Sequence, residues 1–501
     1  MYKQIFNKRF GNLIAIFAGI EVISYLATFV PIVIIVAIAV FIIARKNLLL
    51  GLQIAIAELV IGSKGYLFAL SIGGINISIR LAIFLSLILA WLIYYSAQSK
   101  FWKLIAKRVE IKLILAFIVM LVIGVINGLI HNYSLLNIFN DVNGYLYLGL
   151  LPVFYDAITS KDEHYKIIQI LLAGSTFIAL QTLFLAYVFF HNIEIANYFL
   201  YKWIRIAGLG EITKLSPDYF FYRIFLQSQI YIVIAISIVV PILRTAVKKT
   251  GLFYFLAACY AALIISSSRS LWLGIITALT VSTFLTILIE HNKFQAIIKS
   301  TKFLVLKIGY IIIGAALAFF VVNVPIPIPP NYDMFNFVGQ RFTITNEAAV
   351  STRWKELLPI MNVIKKSPVI GSGFGTLATF NSDDPRIKNI KNPSGEVSTF
   401  SFEWGYFDTI TEIGLIGLFI LLAFLASMVY DGYKKLIAES DETEKMLTFG
   451  LIIGLISLAV IHTFSPYLNH PLGLGYLMIV MVWVGLPEII QISDRSNIDN
   501  R

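Results

Sequence analysis

Residues 111–130 read IKLILAFIVMLVIGVINGLI. Apart from Lys112 and Asn127, the stretch is apolar from end to end. As an α-helix of about 1.5 Å rise per residue it is about 30 Å long, the thickness of a bilayer's hydrocarbon core. Runs of the same kind lie at about 11–29, 31–44, 48–70, 80–97, 135–157, 166–190, 222–243, 251–267, 270–289, 303–323, 405–430, 446–464 and 471–489. The composition agrees: of 501 residues, 58% are hydrophobic and 13% charged, where a soluble domain is about half apolar and about a quarter charged. The expected fold is all-α, a polytopic transmembrane helical bundle of about 13–14 spans with one large extracytoplasmic loop.

Lysine and arginine orient the bundle. Basic residues fill one set of loops: Arg45 and Lys46; Lys100, Lys103, Lys107 and Arg108; Lys161 and Lys166; Arg244, Lys248 and Lys249; Lys293, Lys299 and Lys302; Lys434, Lys435 and Lys445. The alternate short loops, 131–134 and 465–470, carry none. The first set is expected in the cytoplasm, and it accounts for the net charge of +11 without nucleic acid as a partner. Membrane lipids are the implied surroundings. The N-terminus, with Lys3, Lys8 and Arg9 ahead of an apolar run, resembles a signal peptide. It lacks a small-residue cleavage site and is read as an uncleaved first helix. A basic N-terminus favours a hairpin over one kinked helix across the break before Pro31, and hence 14 spans. The chain then divides into an N-terminal bundle (1–323), an extracytoplasmic loop region (324–404), three C-terminal helices (405–490) and a cytoplasmic tail (491–501). Outside segments are expected at 191–221 and 324–404. The latter opens on the polyproline-like run Pro325–Pro330, continues with a helix over 347–366, and turns at Gly371, Gly373 and Gly375. The single cysteine, Cys259, rules out disulfides within the chain and cysteine-rich metal sites.

The candidate chemistry lies on the outer side. Arg223 is placed at the mouth of a span, Arg269 in the tight turn Ser266–Ser270, and Arg353 in the large loop. Guanidinium is a permanent cation whose planar fork matches phosphate oxygens, so three of them facing one cavity suit a lipid pyrophosphate. The plain alternative is that each snorkels to headgroups. Glu403, Asp408 and Glu412 enter the span after the loop. Glu403 at the water boundary suits a general base, or else complements a helix N-terminus. Asp408 and Glu412, four apart, share a helical face. Glu58 lies within an apolar run with no partner evident from sequence. The three glycines do not make a nucleotide loop, because the spacing is not GxGxxG and no strand–helix context surrounds them. No metal site is read: His462 and His470 lack ligand spacing.

Three motifs carry a resemblance. Ser268-Arg-Ser-Leu-Trp-Leu-Gly274 resembles a Ser-Arg turn opening a span. Arg353-Trp354, followed by Lys366-Ser-Pro-Val-Ile-Gly-Ser-Gly-Phe-Gly375, resembles an Arg and then a Pro-x-x-Gly-x-Gly-x-Gly run. Thr411-Glu-Ile-Gly-Leu-Ile-Gly417 resembles a Glu-x-Gly-Leu-x-Gly helix start. In order and loop size, residues 260–420 resemble the O-antigen ligase and O-antigen polymerase superfamily of membrane glycosyltransferases. The resemblance implies an enzyme that needs no cofactor, metal or nucleotide sugar. It implies a polyprenyl-pyrophosphate-linked glycan as donor and a glycan or lipid hydroxyl as acceptor, with Arg269 and Arg353 on the pyrophosphate. Arg223 and Glu412 complete the expected substrate-binding set. Ligases of the family carry a histidine shortly before the Glu-x-Gly-Leu-x-Gly segment. Here Glu403 stands about where it would be, and residues 324–404 contain no histidine. Glu403, Arg353 and Arg269 are therefore the expected catalytic set, on a polymerase-like member. A ligase-type transfer is the first alternative. A transporter or flippase is the second, disfavoured because the first half has no counterpart of the 324–404 loop. A non-catalytic scaffold would not need the outward arginines.

Overall fold

A computed structural model of the chain describes residues 2–28, 32–72, 75–214, 222–244, 250–289, 293–324, 348–382 and 392–499, with the single residues 326 and 387. Most of the Pro325–Pro330 run lies outside the described residues. Helices dominate. Among the described residues, eight are long and apolar enough to cross a membrane, or nine if Ile79–Tyr94 and Ser96–Ile105, bent by 65°, form one span. Three shorter apolar helices, Leu48–Ile61, Gln227–Ile242 and Thr250–Ser266, stand beside them. The expected 13–14 runs thus resolve into full-length helices and shorter ones, because several apolar runs bend or stop before a full span. The run read as 48–70 is the plainest case: its helix ends at Ile61, and the chain turns through Ser63 and Gly65 (φ 51° and 91°) into the hairpin Ala69–Ile72 with Ile75–Ser78.

The N-terminal apolar region consists of two helices, Lys8–Leu26 and Ile32–Lys46. Asn7 caps the first, accepting from the Arg9 N–H at 2.9 Å, and Asn47 caps the helix after the second, accepting from the Leu50 N–H at 3.0 Å. Such caps satisfy amides that a helix start leaves without partners.

Burial sorts the helices into layers. Most of the apolar window is buried in Pro471–Ile490, Glu442–His462 and Lys161–Phe190, at 83, 72 and 72%. In Lys8–Leu26, Ser300–Asn323 and Val109–Ile130 the figure is 17, 28 and 33%. The first group, with the wholly buried Ile230–Ile242, forms the interior. The second presents apolar side chains outward, as lipid-facing helices must.

Glu58 has a partner. Arg80, 22 residues on, donates from Nε to its Oε2 at 2.8 Å and from a terminal nitrogen to Oε1 at 3.1 Å, while the other terminal nitrogen reaches the Ser63 carbonyl at 2.6 Å. Both side chains are buried. A charge in an apolar interior persists where it is paired and hydrogen-bonded, and this pair locks the end of the Leu48–Ile61 helix to the start of Ile79–Tyr94.

The segment expected outside at 191–221 carries the helix Glu194–Ile206 and one arm of a hairpin, Gly210–Lys214, paired antiparallel with Tyr222–Leu226. A third hairpin joins Ala378–Asn381 to Glu396–Thr399 in the large loop.

A broken helix and an arginine–glutamate pair at the candidate site

The span after the large loop, Gly405–Ala438, is broken at Gly414, which adopts φ 71° and ψ −175°. A break frees backbone groups that a membrane interior cannot hydrate. Here the large loop supplies partners. Leu415 N–H donates to the Pro368 carbonyl at 2.9 Å and Ile416 N–H to the Val369 carbonyl at 3.2 Å, while Ser372 N–H donates to the Thr411 carbonyl at 2.7 Å. The glycine-rich turn is therefore inserted into the bundle. Phe374 is fully buried, its N–H on the Gly124 carbonyl at 3.1 Å and its ring edge-on to Tyr145. Asn127 donates to the Gly371 carbonyl at 2.6 Å, and Asp141 accepts from the Gly375 N–H at 2.8 Å. Pro368, which follows the helix Ala348–Lys366, ends it and opens this insertion.

Two glycines explain the motif physically. At Gly373 (φ 93°) a Cβ would sit 2.3 Å from the Gly128 backbone nitrogen, and at Gly414 it would sit 2.2 Å from the Val369 carbonyl oxygen. Only glycine permits both the positive φ and the backbone contact.

Above the insertion lies the ion pair Arg353–Glu403. Arg353 projects from Ala348–Lys366, and Glu403 lies two residues before Gly405. The side chains are 35 and 55% exposed, so the pair faces solvent. Trp404 holds the two segments together: its indole N–H donates to the Arg353 carbonyl at 3.0 Å, and its ring packs on Trp354 and Phe464. Trp404, not Glu403, occupies the cap position of the Gly405 helix, and the Glu403 side chain turns to Arg353 instead.

The turn after His462 collects the other arginine-bearing elements. Ser465 bonds Ser270, next to Arg269, at 2.9 Å. Tyr467 donates to the Gln227 carbonyl at 3.0 Å and lies within the field of Arg223. The Arg223 guanidinium itself lies 4.7 Å over the Phe225 ring. Phe464 touches Trp404. One turn thus contacts the residue that follows the strand of Arg223, the serine turn of Arg269 and the loop of Glu403.

Glu412 and Asp408 lie deeper. Both are buried; Asp408 accepts from the Asn469 amide at 2.7 Å and Glu412 from the Tyr145 hydroxyl at 3.3 Å. Asp141 faces Glu412. Among the described residues, no group of three or more His, Cys, Asp or Glu could hold a metal ion.

Glu356, one turn past Arg353, was not singled out by sequence. It is buried beneath the pair, accepting from the Glu403 N–H at 3.4 Å. Burial raises its carboxyl to about 7, only partly countered by Arg353. A carboxyl raised on folding contributes stability at low pH that is lost as pH rises toward its folded value. Glu356→Gln removes this dependence. Its thermal midpoint relative to the parent should be higher at pH 8 than at pH 5, and a difference independent of pH would contradict the assignment.

The architecture defines a multi-pass membrane protein whose large loop is threaded into a broken span. Residues 252–422, which hold the Arg269 turn, the inserted loop and the break, match the family model described as O-Antigen ligase. Over this segment the chain is similar to that family, which supports a membrane glycosyltransferase of the O-antigen ligase and polymerase type. No curated protein matches the chain.

Proposed function

We propose that the protein transfers a glycan from a polyprenyl-pyrophosphate carrier to a sugar hydroxyl on the extracytoplasmic face, as a polysaccharide polymerase. The observation that carries this reading is the Arg353–Glu403 pair, exposed at the mouth of the broken helix. In the resting state each group satisfies the other. An arriving pyrophosphate competes for the Arg353 fork, for which a doubly charged oxygen cluster is the stronger ligand. Glu403 is then released toward the acceptor. Its carboxylate takes the proton of the attacking hydroxyl as that oxygen bonds to the anomeric carbon. The bond from that carbon to the phosphate oxygen breaks, and the polyprenyl pyrophosphate leaves with the electron pair. Arg353 and Arg269 stabilise the charge that develops on it. Arg223 extends the cationic wall, and Glu412 lies in the floor beneath. No metal, cofactor or nucleotide sugar takes part.

A polymerase uses the same lipid-linked glycan as donor and acceptor. Purified protein given that lipid alone should therefore produce a ladder of lengthened lipid-linked chains. Transfer that begins only when a different lipid or protein acceptor is added would replace this reading with a ligase. Donor moved across a liposome bilayer without lengthening would replace it with a flippase.

A further inference from the structure

At the opposite end of the bundle, a cavity of about 670 Å³ opens between the starts of the Val109 and Lys161 helices and the far ends of the helices that begin at Gly405 and Pro471. The part of the Gly405–Ala438 span after the break runs about 36 Å at 1.5 Å per residue, with the break and the arginine–glutamate pair toward one end and this cavity at the other. Nothing in the transfer chemistry uses it.

The charges around it divide into two groups. Buried Arg108 gathers three of the lining carboxylates, pairing with Glu110, with Glu488 at 2.8 Å and with Asp431 at 3.8 Å, and Lys161 pairs with Glu439 at 3.9 Å. These pairs build the wall. Three lysines remain. Among the described residues, none of Lys107, Lys434 and Lys435 forms an ion pair. Lys434 lies 4.2 Å over the Tyr430 ring, and Lys435 lies 4.0 Å over the Trp483 ring while bonding its carbonyl. Apolar side chains, among them Val109, Val484 and Leu486, line the rest.

The depth of the cavity is marked by exposed aromatics. Trp102, Tyr430 and Tyr433 are solvent-facing at this end, the type of residue that sits at the headgroup level of a bilayer. A cavity at that level, with the exposed ammonium groups of Lys107 and Lys434 outside the ion pairs and an apolar wall, matches a phosphate attached to acyl chains better than a free anion.

We propose that this cavity is a binding site for the headgroup of an anionic phospholipid, with Lys107 and Lys434 on the phosphate and the apolar wall against the first part of the acyl chains. The site is separate from the transfer site and does not depend on the function assigned to it.

The test uses full-length protein in detergent and native mass spectrometry with added phosphatidylglycerol, phosphatidylcholine or glycerol phosphate. The parent should retain one phosphatidylglycerol in preference to phosphatidylcholine, and glycerol phosphate should not displace it. The doubly substituted Lys107→Ala, Lys434→Ala protein should bind about 30-fold more weakly, at about fivefold per juxtamembrane lysine. Both lysines are exposed, so an unchanged thermal midpoint without added lipid is expected and separates lost binding from lost folding. Equal retention of both lipids, or unchanged phosphatidylglycerol affinity in the variant, would overturn the proposal. Displacement by glycerol phosphate would overturn it in favour of a soluble anion.

Discussion

Arg353→Ala is expected to lose donor binding and to lower transfer by about 10²–10³-fold, the usual consequence of removing one fixed group that stabilises developing negative charge. Glu403→Gln should behave differently, binding the donor normally and losing transfer by about 10²-fold or more, as the loss of a general base does. The contrast is readable because neither change need disturb the fold. Trp404 bonds the Arg353 backbone carbonyl, which survives any side-chain substitution, and both members of the pair are substantially exposed. Arg353→Lys keeps the charge but loses the planar fork, and should fall between parent and alanine. Binding assays with a lipid-pyrophosphate glycan, run beside transfer on the same preparations, check both variants. Near-normal transfer by Glu403→Gln would end its assignment as base.

Gly373→Val is expected to destabilise the fold severely. A left-handed φ costs a residue with a Cβ about 1–2 kcal/mol. The contact of that Cβ with the Gly128 backbone nitrogen adds about 1–3 kcal/mol of overpacking, because no rotamer change relieves it. Against a total stability of about 5–15 kcal/mol, the sum is large. The loop would also withdraw the carbonyls that satisfy Leu415 and Ile416, exposing the break. Size-exclusion profiles of the solubilised variant test this, and a monodisperse, parent-like peak would contradict it.

Much of this was legible in the sequence, and the remainder was hidden for definite reasons. Composition and apolar run length give the membrane class, and the motifs around Arg269, Arg353 and Glu412 give the family resemblance. The helix expected over 347–366 is observed as Ala348–Lys366, followed by the expected glycine turn, which packs against the membrane bundle. The break at Gly414 was invisible because an apolar run containing glycine reads the same whether the helix continues or not. What decides it is the partner carbonyls of Pro368 and Val369, more than 40 residues earlier. Arg353 and Glu403 were recognised separately, but they are 50 positions apart and only the tertiary fold pairs them. The same distance problem concealed Arg80 from Glu58. Asp141 was readable as an acidic residue inside an apolar run, a signal that applied to Glu58 as well. Glu356 gave no such signal, since its burial comes from the loop folding over it.

The proposed transfer releases polyprenyl pyrophosphate at this protein without metal or nucleotide sugar. The most direct measurement is mass spectrometry of detergent-purified protein incubated with a lipid-pyrophosphate glycan in the presence of a metal chelator and the absence of nucleotide sugar. Detergent removes any membrane to transport across, so only a reaction can change the lipid. Free polyprenyl pyrophosphate is expected to appear in step with lengthened glycan. A donor recovered unchanged under conditions where it binds would contradict it.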